Sequence, residues 1–329
     1  MNENTRWLDR YTEEVIEPDL AICDPHHHLW DFPTSRYLVD EFLQDLGDGH
    51  RVEKTVYVEC QQHYYLEGPE PLKPVGETAY VDKVTRGSRR PGIAAGIIGY
   101  ADMTLGEDVQ QVLDAHILAS DRFRGIRHAS AWHESDKVHN SHTNPGRGLL
   151  QDPAFRKGIQ RLESMQLTFD AWLFFTQIPE LIELARAFPG LTIILNHVGG
   201  PLGIGPYVNK HEQVFEQWSA DIHALSKCPN VVIKLGGLTM TMCGFGWHRR
   251  DAPPSSFELA EAMAPYYQHC IEHFGADRCM FESNFPVDKV SCSYTLLWNA
   301  FKLLSREYSK SERCELFHGT ATRIYSLQN

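Results

Sequence analysis

Eight short apolar or β-branched runs, most of them separated by stretches of helical periodicity, leave this chain very few folds to choose from. The runs cover residues 20–22, 54–59, 93–98, 123–128, 167–173, 191–195, 231–235 and 278–282. Helical spacing fills residues 78–86, 106–119, 179–188, 214–225 and 257–274. Asp152-Pro153 opens a further helix in cap-then-proline order. Regular alternation of this kind predicts an α/β fold, a (β/α)8 TIM barrel in one domain spanning residues 1–329. An N-terminal arm over 1–18, whose Glu13, Glu14 and Glu17 suggest a solvated surface, precedes the barrel, and C-terminal helices close it. A doubly wound dinucleotide-binding sheet is the competing arrangement. It needs a Gly-x-Gly-x-x-Gly turn after the first strand, and the chain carries Asp24-Pro25-His26-His27-His28 there instead.

In a strand alternate side chains share a face, so His26 and His28 point one way and His27 the other. Two imidazoles at the carboxyl end of a strand suit a divalent metal or an anionic substrate. The other strand ends bring Glu59, Arg127, His128, Asp170, His197, Lys234, Glu282 and Asn284 to the same mouth. Singly, each has a structural explanation, such as Lys234 paired with a core carboxylate. Together they mark one candidate site. The loops over 61–77, 129–148 and 239–256 are expected to line it.

Charge narrows the partners. With 43 acidic against 31 basic residues the formal net charge is -12, which argues against nucleic acid and against anionic membrane surfaces. A small-molecule substrate is the expected partner, and a homodimer the commonest oligomer. Eight cysteines without a Cys-x-x-Cys pair, and a start lacking a signal-peptide profile, point to reduced thiols and a cytoplasmic location.

Several segments resemble the amidohydrolase superfamily, in the branch of TIM-barrel metal-dependent hydrolases that holds sugar lactonases and the pyrone-dicarboxylate lactonase. They are Asp24-Pro25-His26-His27-His28-Leu29-Trp30-Asp31, Phe123-Arg124-Gly125-Ile126-Arg127-His128, Asn196-His197-Val198-Gly199-Gly200-Pro201, Lys234-Leu235-Gly236-Gly237-Leu238, Phe281-Glu282-Ser283-Asn284-Phe285-Pro286-Val287 and Phe317-His318-Gly319-Thr320-Ala321. The resemblance implies a hydrolase in which water attacks the carbonyl of a lactone or ester of a small polar or anionic molecule. A decarboxylase on the same barrel, and a binding protein that has lost catalysis, are the alternatives.

Two departures bear on mechanism. The branch usually ends its eighth strand in Gly-Ser-Asp-Trp-Pro, whereas this chain has Asn284 in place of the Asp, and an amide is no base. Glu282, two residues earlier on the same face and about 6–7 Å deeper, is either the replacement or a buried partner of Lys234 or Arg127. The fifth strand offers Asp170 where metal-binding relatives often place a His. His26 and His28 are thus the retained metal ligands, which leaves open both a site with one zinc or manganese ion and a metal-free one. Under the resemblance, His26, His28, His197, Glu282, Asn284 and Asp170 carry catalysis. Arg127, His128, Lys234, Glu59 and Trp30 hold the substrate, and Trp172, Phe245 and Trp247 add apolar walls.

Overall fold

A computed structural model describes residues 3–327. Among these residues eight parallel strands pair in chain order: β1 (Ile22–His27), β2 (Val52–Val58), β3 (Gly96–Gly99), β4 (Phe123–Ile126), β5 (Thr168–Ala171), β6 (Ile193–Leu195), β7 (Val231–Leu235) and β8 (Cys279–Phe281). The ring closes where β8 runs out. His28 N donates to Phe285 O at 2.8 Å, and Asn284 N donates to His26 O at 3.0 Å. One helix follows each strand: α2 (Val39–Leu46), α3 (Val75–Arg86), α4 (Val109–Ala119), α5 (Pro153–Ser164), α6 (Ile178–Ala187), α7 (His211–Leu225), α8 (Ser256–Phe274) and α9 (Tyr294–Leu304). The fold is a (β/α)8 TIM barrel. Before it stands α1 (Glu3–Leu8), and after it α10 (Lys310–Cys314) and α11 (Thr320–Ile324).

Local chemistry sets the helix starts. Asp152 accepts from Ala154 N and Phe155 N at 2.8 and 2.9 Å, with Pro153 as the first residue of α5. Ser255 and Glu258 form a reciprocal capping box on α8. Boundaries differ from the sequence expectation in two instructive places. The first strand runs through the His motif to His27 rather than stopping at residue 22. A small antiparallel hairpin, Trp30–Phe32 with Ser35–Tyr37, stands before α2 in a stretch outside the eight sequence runs. The N-terminal arm is also no merely solvated surface. Glu13 accepts from Ser256 N at 2.9 Å and Asn299 Nδ2 at 3.2 Å, and buried Lys302 donates to Ile16 O at 2.7 Å.

Strand alternation divides the core. One face packs on the helices; the other fills the barrel with Cys23, Val56, Val58, Ile98, Ile194, Val232 and Met280. Ala321, Tyr325 and Leu327 enter this interior cluster after α10, so the C-terminal segment plugs the barrel. Two residues beyond Val232 and Met280, on the same inward face, come Lys234 and Glu282, where the apolar filling gives way to a polar layer. No helix among the described residues is long and apolar enough to cross a membrane.

The plug reaches that layer: Tyr325 OH donates to Asp170 at 2.9 Å, with Lys234 Nζ 5.3 Å from the ring centroid. Tyr325→Phe keeps the ring and loses the charge-assisted hydrogen bond, so urea unfolding should show a loss of about 1.5–3 kcal/mol. An unchanged midpoint would mean that the hydroxyl contributes nothing.

Candidate active site

The polar layer begins with an ion pair. Lys234 Nζ lies 2.8 Å from Asp170 Oδ1, both without solvent exposure, and Asn196 Nδ2 donates to the same oxygen at 3.0 Å. Lys234 also reaches His26 Nδ1 at 3.2 Å. Above it His26 and His28 share the inward face, their Nε2 atoms 3.2 Å apart. His27 points outward, stacked on Phe42 with ring centroids 4.1 Å apart. His28 Nδ1 lies 2.7 Å from Val58 O, a pure acceptor, so Nδ1 carries the proton and Nε2 the lone pair. Burial, then positive neighbours (Lys234 for His26, Arg127 for His28), holds both rings well below the ordinary 6.5.

Glu282 connects two imidazoles. Its Oε1 accepts from His197 Nδ1 at 2.7 Å and from His197 N at 3.1 Å; its Oε2 lies 2.8 Å from His26 Nδ1. With Nδ1–H so committed, His197 keeps Nε2 as an acceptor on the pocket side. Burial lowers the pKa of His197, opposed by the charge and hydrogen bond of Glu282. Two glycines make the room. A Cβ on Gly236 would fall 2.3 Å from Glu282 Cγ, and one on Gly237 (φ +74°) 2.5 Å from His197 Cβ. His197 and Asn284 themselves sit at φ 53°, strained backbone of the kind that gathers at functional sites.

On the opposite side Arg127 Nε donates to Glu59 Oε1 at 2.7 Å, and its Nη2 donates to Glu59 O. His142, from the 129–148 loop, lies 3.0 Å from the same carboxylate oxygen. Burial alone would raise Glu59, but the Arg127 charge and then His142 bring it down to about 2. Over this floor opens a pocket of about 240 Å³, lined at its base by His28, Arg127, His197 and Asn284. Trp30, Phe32, Trp172 and Met240 supply most of its apolar wall.

The structure brings His26, His28, His197, Glu282, Asn284, Arg127 and Trp30 together, and it places six others away from the lining. His128 does not face the mouth: Arg127 turns inward, so its neighbour turns outward and accepts from Met103 N at 3.1 Å. Lys234, Asp170 and Glu59 are fully buried and do not line the pocket; Lys234 pairs with Asp170, and Glu59 with Arg127. Phe245 and Trp247 stack on each other at 5.8 Å away from the lining, and the 61–77 loop contributes no lining residue. Sequence reasoning missed Asp288 and His142. Asp288, fully buried, accepts from Asn284 Nδ2 at 2.5 Å and from Thr239 Oγ1. Burial pushes its carboxyl up to about 7, those hydrogen bonds opposing. Its place four residues after Asn284 in the Asn-Phe-Pro-Val-Asp run was the available signal.

The donor set fits one divalent ion. Arg127 pairs with Glu59 and Lys234 with Asp170, whereas among the described residues no Lys or Arg pairs with Glu282, which meets His197 with Oε1 and His26 with Oε2. A buried carboxylate lacking a cation, beside neutral imidazoles, is the chemistry of a cation site. The 3.2 Å between the Nε2 atoms of His26 and His28 matches the roughly 3.3 Å between two nitrogens on one tetrahedral ion. Their other nitrogens face a carboxylate and a backbone carbonyl, the outer partners that metal-bound imidazoles take. His26, His197 and Glu282 also bring donors within 4.8 Å of one another. The His197–Glu282 hydrogen bond, however, suits Glu282 better as a counter-charge than as a ligand shared with His197.

Comparison with known proteins places this geometry in context. A family model described as Amidohydrolase matches residues 23–327. The uncharacterized protein y4mH of Sinorhizobium fredii is 35% identical over 331 residues, covering 94% of this chain and 99% of its own. An L-fucono-1,5-lactonase of Burkholderia multivorans is 25% identical over 313 residues, covering 92% of this chain and 95% of its own. A crystal structure of an amidohydrolase from Burkholderia multivorans with bound zinc has a TM-score of 0.73 at 21% identity, over 94% of this chain and 100% of that one.

The Arg127–Glu59 pair yields a test of stability. Arg127→Met leaves Glu59 buried without its charge partner and should cost about 3–5 kcal/mol in urea unfolding. Adding Glu59→Gln should recover much of that loss; a double variant no more stable than the single one would show that the ion pair is not its source.

Proposed function

The chain belongs to the amidohydrolase family, and on that premise we propose that it hydrolyses the ester bond of a neutral, hydroxyl-bearing lactone. The observation that carries this proposal is the Glu282–His197 pair, at 2.7 Å, at the floor of an aromatic-walled pocket. The lactonase relative supports the reaction class. The charge count supports neutrality: Arg127 is already balanced by Glu59, Lys234 by Asp170, and Glu282 is left over. An anionic substrate would meet side chains without spare positive charge and would depend on the ion that His26 and His28 would hold. Trp30 and Trp172 offer flat apolar surface to the C–H faces of a saturated ring.

In the mechanism His197 Nε2 takes a proton from the attacking water, and the Glu282 carboxylate stabilises the imidazolium that results. The same nitrogen then returns the proton to the ring oxygen that leaves as an alkoxide. Arg127 directs remaining N–H groups at the carbonyl oxygen as it gains charge. Asn284 holds the water: its Nδ2 is committed to Asp288, and its buried Oδ1, without a partner in the protein, is left to accept from a water O–H. His26 and His28 would hold a divalent ion, which when bound would supply electrophilic polarisation of the carbonyl. Carboxylate chemistry lost at position 284 is thus supplied from position 282, through an imidazole rather than by direct contact.

A panel of neutral sugar lactones, followed by proton release, tests the proposal. Turnover is expected, with Glu282→Gln lowering kcat about 10²–10⁴-fold while KM changes far less. Absence of turnover on every lactone, or carbon dioxide release from carboxylic acids instead, would overturn it. A second expectation concerns pH. The Asp288 carboxyl, raised to about 7, accepts two hydrogen bonds when ionised and loses acceptor capacity as pH falls through that value. Asn284 is then held less well, so kcat should fall on the acid side of about pH 7. Asp288→Asn should abolish that limb; a limb that survives belongs to another group.

A further inference from the structure

We propose that His142 determines specificity in this pocket by accepting a hydrogen bond from a hydroxyl group of the substrate, so that hydroxylated lactones are preferred over unsubstituted ones. The inference rests on the lactone reading above and narrows its substrate. Imidazole, guanidinium and amide groups line the pocket at His28, Arg127, His142, His197 and Asn284. Four of these stand at strand ends and have parts in holding an ion, moving a proton, placing water or meeting the carbonyl. His142 comes instead from the 129–148 loop, and the loops at the mouth of a barrel are where specificity is set.

Glu59 fixes the ring. His142 Nε2 lies 3.0 and 3.1 Å from the two oxygens of that carboxylate, which is an acceptor, so Nε2 carries a proton. In the neutral ring this leaves Nδ1 as an acceptor, and among the described residues Nδ1 has no hydrogen-bond partner. The His142 side chain is 31% exposed, whereas that of Glu59 is fully buried. An acceptor on a ring so held suits the O–H of a substrate hydroxyl. The loop does not depend on this side chain to keep its place. Ser141 N donates to Ala131 O at 2.9 Å, Thr143 Oγ1 donates to Ala129 O, and Gln61 Nε2 donates to His142 O at 3.3 Å. His142 Nε2 and Arg127 Nε meet the same oxygen of Glu59. One carboxylate thereby sets both the group that reads the hydroxyl and the group aimed at the carbonyl.

The test compares kcat/KM on sugar lactones with that on unsubstituted lactones of the same ring size, for the full chain and two variants. His142→Phe keeps an aromatic ring and loses the acceptor. It should lower the preference for the hydroxylated lactone about 10-fold, mostly through KM. His142→Gln offers an amide N–H to Glu59 and an amide oxygen to the hydroxyl, and should restore much of that preference. A purely structural role would weaken both kinds of lactone alike in His142→Phe; an unchanged preference would therefore overturn the proposal, as would an equal fall in both variants. Wild type that turns over no lactone would overturn the lactone reading and this inference with it, an outcome distinct from turnover with unchanged preference.

Discussion

The buried ion pair between Lys234 and Asp170 is the contact on which the polar end of this barrel rests. Two charges withdrawn completely from water are expensive unless every remaining donor and acceptor is met. Here Asn196 and Tyr325 complete the shell of Asp170, and Lys234 spends a further contact on His26. The pair therefore joins three levels: the C-terminal plug below, the strand ends at its own height, and the histidine layer above. Replacing it with apolar side chains of like volume could still fill the barrel, but the His26 ring would lose one of the contacts that fix it.

Above that foundation the site is built from shared partners. Glu282 serves His197 with one oxygen and approaches His26 with the other; Glu59 serves both Arg127 and His142. Each carboxylate positions cationic or imidazole groups drawn from different strands or loops. This is why groups that never touch the pocket still decide its chemistry. Strained backbone at His197, Val198 and Asn284 belongs to the same economy, since only a surrounding network this connected holds such conformations.

Much of this was legible in the sequence. Eight strand runs in alternation specify the barrel, and strand parity alone puts His26 and His28 together and His27 apart. Parity also explains where reading failed. The strand-end run Arg127-His128 offers two polar residues, and only one can face inward; residue type does not say which. Depth along a strand was equally hidden, so Asp170 looked catalytic, and Lys234 and Glu59 looked like substrate contacts, although none of the three lines the pocket. Asp288 escaped notice because its role is tertiary, a carboxylate that steadies an amide, and no periodicity announces such a pair. The wall residues Phe32 and Met240 come from a hairpin and a loop, where local propensity carries little information about direction.

Gly236 and Gly237 have a bearing on how such a site changes over generations. Their missing Cβ atoms are the space that the Glu282 side chain and the His197 ring now fill. At 236 the constraint goes beyond that side chain, because the same Cβ would also fall 2.6 Å from the backbone carbonyl oxygen of Glu282. Shortening residue 282 would therefore leave position 236 closed to any side chain. The glycine belongs to the close approach of two strand ends, so residue 282 can vary in a lineage while residue 236 cannot.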